Sequence, residues 1–451
     1  MLTQNDINTK VRELVNSNQS DELLKFLRKQ RPEDVASVFH NLSVEDKILL
    51  FNRLNKEKAA DVLEELDEKN LSDIINDIPD EKLIKIIPLM PDDDAADILQ
   101  VLSEERKNKI LYSLDEDDSS DIEELLQYDD DTAGGIMSKG YISVHLDDRV
   151  GSVIRMIRQN PDDEPNLYTI YVVDDKEKLL GYVRLRDLVI AKSQQKIKNI
   201  YHKDITKVNA EQDQEVVAKL ASKYNLLAVP VIDKRDKLIG VITYDDIVDV
   251  IQEENTEDIL KMAGTDDAEL VSNKIFRIAS IRLPWLITSF FGSLAAAAII
   301  KVFSFTLTKA VILASFIPVI TGMGGNVGVQ SSAITIRGIA VGRIHPSTLL
   351  KEILREFRVG FVMGIVVGLI LGVIAYIWNR NYIMGLAIGG AMFIAMSVAA
   401  VVGTFMPLFL KYILKIDPAI ASGPFVSTAN DITGLLVYLG LATFLLQKIA
   451  A

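Results

Sequence analysis

The chain of 451 residues has no cysteine, and this absence removes several kinds of site at once. It excludes disulfides, thiolate metal centres and a cysteine nucleophile. Histidine is also scarce, and the four that occur are scattered along the chain: His40, His145, His202 and His345. No nucleophile–base arrangement and no phosphate-cradling loop accompanies them. The sequence therefore argues against an enzyme.

The start of the chain lacks the apolar core of a signal peptide. Its first residues, MLTQNDINTKV, are polar, so we expect the N-terminal half to stay in the cytoplasm. Charge is distributed unevenly, since residues 1–280 carry 37 basic and 59 acidic side chains whereas residues 281–451 carry 12 and 4. An acidic half joined to an apolar, weakly basic half argues against nucleic acid as a partner and fits the binding of cations.

Short amphipathic helical segments recur along the first part of the chain. The segments PEDVASVFHNL, KEKAADVLEEL and PDDDAADILQVL are alike. Pairs of segments repeat about every 24 residues, beginning near Pro32, Lys56 and Asp80. Self-similarity at such a period predicts stacked helix pairs. We therefore expect residues 1–131 to form an α-helical, superhelical domain.

Two copies of another unit follow, each in the order strand, helix, strand, strand, helix. The strands are rich in Val, Ile and Leu, and the matching turns DDKEKLLG and DKRDKLIG separate the paired strands. These features resemble a tandem pair of cystathionine-β-synthase (CBS) domains over residues 132–251. The resemblance implies an α/β fold, dimerisation and the sensing of adenine nucleotides or ions. Arg186 and Asp187 match a nucleotide-contacting register of that family, which makes ATP a candidate ligand.

A strongly acidic helical segment, residues 245–280, connects these domains to the apolar half. Its first part holds seven acids, which are Asp245, Asp246, Asp249, Glu253, Glu254, Glu257 and Asp258. Gly264 is the predicted C-cap of the acidic helix.

Five apolar segments follow, near residues 284–303, 310–336, 359–378, 383–410 and 419–447. Each reaches the roughly 20 residues that a helix needs to cross the hydrocarbon of a bilayer. The linkers richest in Lys and Arg follow the second and fourth segments and belong on the cytoplasmic side. The sequence thus predicts a multi-pass protein of the cell membrane, with five transmembrane helices in residues 281–451. We expect a cytoplasmic N-terminus and a C-terminus on the outer side.

Glycine marks two of these segments. In the third, Gly360, Gly364, Gly368 and Gly372 recur every four residues, which predicts a stripe for close helix packing. The second contains PVITGMGGNVGVQ, residues 318–330, with a proline and four glycines. Such a stretch predicts a broken helix at membrane depth, where irregular backbone is tolerated if it is buried or lines a wet cavity.

The fifth segment contains a carboxylate, Asp431, in the stretch STANDITGLL. A charge at membrane depth costs several kcal/mol on most scales, so it indicates a functional site. A structural salt bridge with Arg337 is the alternative. A path lined by carboxylate, amide and carbonyl oxygens suits a hard cation, and Mg²⁺ tends to keep its waters when it binds. One Asp431 from each of two subunits could hold a hydrated Mg²⁺.

The whole arrangement resembles the MgtE family of magnesium channels and transporters. The similarity extends over essentially the whole chain and is most specific in GGNVGVQ and in DPAIASGPFVSTANDITGLL. It implies a homodimer in membrane lipid that imports Mg²⁺ through a pore between the second and fifth spans of the two protomers. It also implies that cytoplasmic Mg²⁺ closes the pore by binding between the helical domain, the CBS domains and an acidic plug helix.

The same resemblance implies roles for particular residues. Asp431 is assigned to the ion site in the pore and Asp417 to its cytoplasmic mouth. The residues assigned to the pore lining are Gly324, Gly325, Asn326, Gln330 and Asn430. The regulatory Mg²⁺ ligands would be Asp61, Asp93 and Asp97 of the helical domain, Asp213, Glu215, Asp246 and Asp249 of the CBS side, and Glu254, Glu257 and Asp258 of the plug.

Two other functions remain open on the sequence. A cation-coupled secondary transporter or exchanger could use the same fold, and broken helices occur in both mechanisms. A membrane-anchored nucleotide sensor would use the CBS pair, but it leaves Asp431 and the glycine-rich stretch unexplained.

Overall fold

The computed structural model describes residues 4–16, 20–159, 168–271, 274–421 and 423–450. The chain folds as two units, residues 1–254 and residues 255–451. Each unit has an apolar core of its own.

The first unit begins with short helices, as the repeat predicts. In the described part of the chain they are α1 (Gln4–Asn16), α2 (Ser20–Leu27), α3 (Pro32–Phe39), α4 (Val44–Arg53), α5 (Lys56–Glu64), α6 (Glu68–Ile74), α7 (Asp80–Ile86), α8 (Asp92–Gln100), α9 (Glu104–Leu111) and α10 (Glu116–Leu125). Ser43 caps α4 and Asp67 caps α6, because their side-chain oxygens accept backbone N–H groups of the first turn.

Two α/β repeats complete this unit. The first contains β1 (Ser143–His145), α11 (Val150–Gln159), β2 (Thr169–Val173), β3 (Leu179–Arg184) and α12 (Leu185–Ile190), and the second contains β4 (Val208–Asn209), α13 (Gln214–Tyr224), β5 (Ala228–Ile232), β6 (Leu238–Thr243) and α14 (Tyr244–Ala263). In each repeat the first strand pairs in parallel with the second, and the second pairs in antiparallel with the third. The predicted CBS order and the α/β fold are confirmed.

The second unit is helical. α14 enters it at Asn255 and ends before Gly264, whose φ of 79° is the left-handed cap that the sequence predicts. The helices that follow are α15 (Ala268–Val271), α16 (Ile275–Val302), α17 (Ser304–Lys309), α18 (Ile312–Ala340), α19 (Leu349–Asn379), α20 (Tyr382–Phe409) and α21 (Gly423–Ala450). Five of the described helices, α16, α18, α19, α20 and α21, are long and apolar enough to cross a membrane. The five predicted transmembrane segments are confirmed.

The glycine stripe of α19 packs directly against α20. A Cβ atom added at Gly364 would lie 2.7 Å from the backbone oxygen of Phe393, and one added at Gly368 would lie 2.6 Å from that of Gly389. Real Cβ atoms essentially never come so close, so glycine is what lets the two backbones meet. The predicted packing role of the stripe is confirmed.

The predicted break in the second membrane segment is wrong. α18 is one uninterrupted helix that contains Pro318. Proline and glycine are tolerated in membrane helices where neighbouring groups satisfy the backbone. Gly328 serves close approach instead, because a Cβ atom on Gly403 of α20 would lie 2.2 Å from the Gly328 backbone oxygen.

We predict that Gly368→Ala destabilises the second unit by roughly 1–3 kcal/mol, the usual range for overpacking a core, because the added methyl group must displace the α20 backbone. Gly440→Ala is the matched control, since a Cβ atom there meets nothing within 4 Å. Thermal unfolding of the purified protein in detergent measures both variants. Equal melting temperatures for Gly368→Ala and Gly440→Ala would contradict the packing role.

Candidate functional site

Acidic side chains from two parts of the first unit face one another. On one side lie the end of α5 and the first turn of α8, which carries three consecutive aspartates. On the other side lies the first turn of α14. The positive end of a helix favours acids in its first turn, and here α8 and α14 bring such turns together. The group, called the acidic cluster below, comprises Glu64, Glu65, Asp93, Asp94, Asp97, Asp245, Asp246 and Asp249.

Asp93 is the most buried member of the acidic cluster. The residue is 7% exposed, and its Oδ1 has no hydrogen-bond partner among the described residues. Burial, followed by the nearby carboxylate of Asp246, raises the pKa of Asp93 well above its usual value. Buried polar atoms are nearly always satisfied in native proteins, so an orphaned carboxylate oxygen fits a place for a cation or for water bound to one.

Neighbouring carboxyl groups are shifted in the same direction. Burial, with repulsion from Glu64 and Asp246, raises the pKa of Asp94 to about 8. Burial also raises the pKa of Glu64 to about 7. Desolvation by the surrounding protein, followed by repulsion from other carboxylates, raises the pKa values of Asp97 and Asp249. Both side chains nevertheless stay in contact with solvent. The cluster therefore resists full negative charge unless cations balance it.

The structure brings together several of the predicted regulatory ligands. Those that lie in the acidic cluster are Asp93, Asp97, Asp246 and Asp249. Asp61 is exposed at the edge, where its charge raises the pKa of Glu64. The assignment of ligands from the sequence missed Glu64, Glu65, Asp94 and Asp245. The run PDDDAAD contained the signal for Asp94, but it did not show which aspartates turn towards α14.

Other predicted ligands are engaged in local contacts. Asp213 caps α13 by accepting the backbone N–H of Glu215, and the Glu215 carboxylate pairs with Lys219. Glu254, on α14, accepts a hydrogen bond from the Gln214 side chain at 2.9 Å. These acids lie in the first unit but are held by α13.

Within the described ranges, no three acidic or histidine side chains form a ready-made metal site. The acidic cluster is thus a set of repelling carboxylates and not a finished coordination sphere. Mg²⁺ is reluctant to dehydrate and usually keeps several waters, so it does not require three direct carboxylates. The donor set of oxygen atoms, with the orphaned Oδ1 of Asp93 among them, fits a hydrated Mg²⁺.

In the second unit, the end of α14 is held at the turn before α21. The Lys261 ammonium lies 2.8 Å from Oδ2 of Asp417 and also pairs with Glu257. Burial alone would lower the pKa of Lys261, but the two carboxylates outweigh it and raise that pKa. The other oxygen of Asp417 accepts the Ala419 backbone N–H at 2.8 Å. Asp258 lies beside Glu257 and is half-buried.

A second contact joins α14 to a membrane helix. Arg337, near the end of α18, donates a hydrogen bond from Nη1 to Oδ1 of Asn255 over 2.6 Å. Arg337 therefore binds α14, and no ion pair between it and Asp431 forms among the described residues. The alternative interpretation of Asp431 as half of a structural salt bridge with Arg337 is wrong, because that arginine is used elsewhere.

Asp431 lies well inside the fifth span. It is eight residues beyond the start of α21, about 12 Å along the helix axis. The span runs from Gly423 to Gln447, so Asp431 is four residues before its middle. The side chain is half-buried. This position agrees with the intramembrane carboxylate that the sequence predicts.

The predicted lining residues divide into two groups. Asn326 and Gln330 lie one helical turn apart on an exposed face of α18. Gly324 and Gly325 are buried, and Asn430 is only 1% exposed. The Asn430 amide occupies the space that a glycine of α18 leaves open. In the single chain Asn326 and Gln330 are therefore exposed, whereas Gly324, Gly325 and Asn430 are covered by neighbouring helices.

The predicted nucleotide residues lie at the start of α12. Arg186 is exposed to solvent. The Asp187 carboxylate lies 2.9 Å from Nε2 of His202 and accepts the Arg184 backbone N–H at 3.4 Å. The His202 ring stacks on Tyr182, with 5.1 Å between ring centroids. The Asp187 side chain is thus held by contacts within the protein, whereas the Arg186 side chain is exposed to solvent.

Comparison with known proteins identifies the same parts. Family models match residues 317–441 as a divalent cation transporter of the MgtE type, residues 30–131 as an MgtE intracellular N domain, and residues 133–193 and 197–253 as CBS domains. The solved cytosolic domain of the Mg²⁺ channel MgtE in complex with ATP is 30% identical, with a TM-score of 0.51, over 54% of this chain and 99% of that one. The soluble part of a magnesium transporter is 29% identical, with a TM-score of 0.50, over 56% and 99%.

Curated relatives are similar over a larger share of the chain. The magnesium transporter MgtE of Enterococcus faecalis is 36% identical over 72% of this chain and 71% of its own length. Those of Bacillus subtilis and Thermus thermophilus are each 33% identical over 72% of this chain, and over 72% and 73% of their own lengths. With its intracellular N domain, its CBS pair and its five membrane helices, this chain belongs to the MgtE family of magnesium transporters.

Proposed function

We propose that this magnesium transporter is a channel that conducts Mg²⁺ past Asp431 and closes when cytoplasmic Mg²⁺ binds at the acidic cluster. The observation that carries the proposal is the crowding of carboxylates between α8 and α14, with an orphaned buried oxygen on Asp93. Such a group is stable only when protons or cations offset its charge.

Asp431 supports a cation path through the membrane half. α18 and α21 pack against each other, and they carry Asn326, Gln330 and Asp431. A lining of amide and carboxylate oxygens without thiols suits a hydrated Mg²⁺. We propose a homodimer in which the exposed faces of two copies of α18 meet, because a second Asp431 would double the negative charge at the ion site.

Closure follows from electrostatics. With few bound cations, the acidic side chains of α8 and α14 repel one another, and divalent cations between them offset that repulsion. α14 is one continuous helix. Its first half carries acids of the cluster, and its second half is held at Asp417 and Arg337. Cation binding at the first half is thereby coupled to the helix that contacts the start of the proposed pore.

We also propose how the chain is oriented in the membrane and where it binds nucleotide. The intracellular N domain and the basic linkers support a topology in which the end of α21 lies on the outer side of the cell membrane, and we propose that lipid surrounds the apolar helices. The CBS pair, at Arg186 and Asp187, is the proposed place for ATP, which the related cytosolic domain was solved with.

The ion site can be tested by substitution. We predict that Asp431→Asn lowers Mg²⁺ uptake into proteoliposomes by roughly tenfold or more and that Asp431→Ala abolishes it, because neither side chain carries the charge that holds the hydrated ion. Asp175→Asn, in an exposed turn, is the matched control and should transport normally. Wild-type uptake by a folded Asp431→Ala protein would falsify the assignment.

Closure can be tested by varying Mg²⁺ inside the proteoliposomes. We predict that Asp93→Asn/Asp94→Asn raises the internal Mg²⁺ concentration needed for half-maximal inhibition several-fold, and that deletion of residues 1–130 weakens the inhibition further. Both changes remove carboxylates whose repulsion the ion offsets. Asp77→Asn, which is exposed and outside the cluster, should leave inhibition unchanged. Normal inhibition in the truncated protein would remove the helical domain from the mechanism.

The acidic cluster also makes a prediction about pH. Its raised carboxyl pKa values mean that the folded protein binds more protons than the unfolded chain between about pH 4 and about pH 8. Without divalent cations, the free energy of unfolding of the first unit should therefore fall as pH rises through this range. Mg²⁺ replaces the protons, so it should raise the melting temperature more at pH 8 than at pH 5. A Mg²⁺ effect that is equal at both pH values would contradict this account.

A further inference from the structure

The glycine stripe of α19 begins with an acid. Glu356 lies one helical turn before Gly360, in register with the glycines that pack on α20. Glu356 is only 5% exposed, although it lies between Arg355 and Arg358 just before the third apolar segment. A buried carboxylate is costly unless it is paired and hydrogen-bonded, so its partners indicate what it does.

Glu356 uses both of its carboxylate oxygens. Oε2 accepts a hydrogen bond from the Ser331 hydroxyl of α18 over 3.0 Å. Oε1 lies 3.1 Å from Nη2 of Arg355, the preceding residue. The carboxylate thus connects the buried face of α19 to α18 and is balanced by a basic side chain.

Solvent cannot replace this partner of Ser331. It is 2% exposed, so its hydroxyl would be left without solvent if the carboxylate were removed. Its backbone oxygen already accepts the Thr335 hydroxyl at 2.7 Å. Leaving one partner of a buried hydrogen bond unsatisfied is unfavourable, and rotation of α18 about its axis would break the contact.

Ser331 directly follows Gln330 and lies five residues after Asn326, the two exposed polar residues of α18. A helix that is fixed at Ser331 therefore presents Asn326 and Gln330 in one fixed direction. We propose that Glu356 is a positioning residue for Mg²⁺ conduction, since its hydrogen bond to Ser331 sets the rotation of α18 and so the placement of these amides. This rests on the proposed function of α18 as a lining helix.

The test compares three variants in proteoliposomes. Ser331→Ala and Glu356→Leu remove the contact from either side, whereas Glu356→Gln keeps an oxygen that can accept the Ser331 hydroxyl. Mg²⁺ uptake is measured against external Mg²⁺, with Mn²⁺ and Ca²⁺ as competitors. We expect the two disruptive variants to raise the half-maximal Mg²⁺ concentration and to weaken discrimination against the competitors, each several-fold. Glu356→Gln should restore values near those of the wild type.

Controls separate positioning from general destabilisation. Ser397→Ala removes another buried serine hydroxyl, which bonds only within α20, and it should leave both transport parameters unchanged. Combining Ser331→Ala with Glu356→Leu should add little to the stronger single variant, because both remove one contact. Additive effects, or a lowered maximal rate with unchanged half-maximal concentration and selectivity, would overturn the proposal.

The test stays decisive even when one of the variants does not fold. If Glu356→Leu does not fold, Ser331→Ala alone decides, and normal selectivity in a folded Ser331→Ala protein overturns the positioning role. Asp431→Ala is measured alongside. Normal uptake by Asp431→Ala would reject the proposed ion path itself, whereas an inactive Asp431→Ala with an ordinary Ser331→Ala would reject only the role of Glu356.

Discussion

The fold forces carboxylates together where α8 faces α14, and bound cations or protons must offset their mutual repulsion. Asp93 and Asp94 lie in the first turn of α8, and Asp246 lies in the first turn of α14. Burial and mutual repulsion raise their pKa values. Helix dipoles favour acids at these positions but do not neutralise a cluster of this size. The fold therefore holds a shortage of positive charge that protons or divalent cations can relieve.

α14 connects the excess negative charge of the acidic cluster to the membrane helices. The helix is continuous, and its last turns contact residues at the starts and ends of membrane helices. At Asp417 the counter-charge is Lys261, a basic group of the protein itself. The contact at the membrane half is thus balanced by a basic side chain, while among the described residues no basic side chain pairs with a member of the acidic cluster. Regulation by cations is consequently expected at the cluster, with Lys261 keeping the other end of α14 in place.

Much of this architecture could be predicted from the sequence, because periodicity and length determine short repeats, CBS strands and five apolar spans. The glycine stripe was predictable from spacing alone, and so was the depth of Asp431. The break in α18 was predicted wrongly, since glycine and proline propensities in water do not decide the outcome where Gly328 and Gly403 pack backbone against backbone. The burial of Asn430 and the inclusion of Asp94 and Glu64 in the cluster depend on which way side chains turn, and the Glu356–Ser331 bond depends on tertiary contact.

In the proposed closure, Mg²⁺ draws together the acidic faces of α8 and α14. Because the chain has no cysteine, spin labels can be attached specifically at Tyr112→Cys and Tyr224→Cys, two exposed positions in the helical and CBS parts of the first unit. Double electron–electron resonance spectroscopy then gives the distribution of distances between the two labels, once in EDTA and once in Mg²⁺. We expect a broader, longer distribution in EDTA, where the carboxylates repel one another, and a narrower, shorter one in Mg²⁺. The labelled protein must still be inhibited by internal Mg²⁺. An identical distribution in both conditions would then contradict closure by Mg²⁺ at the acidic cluster.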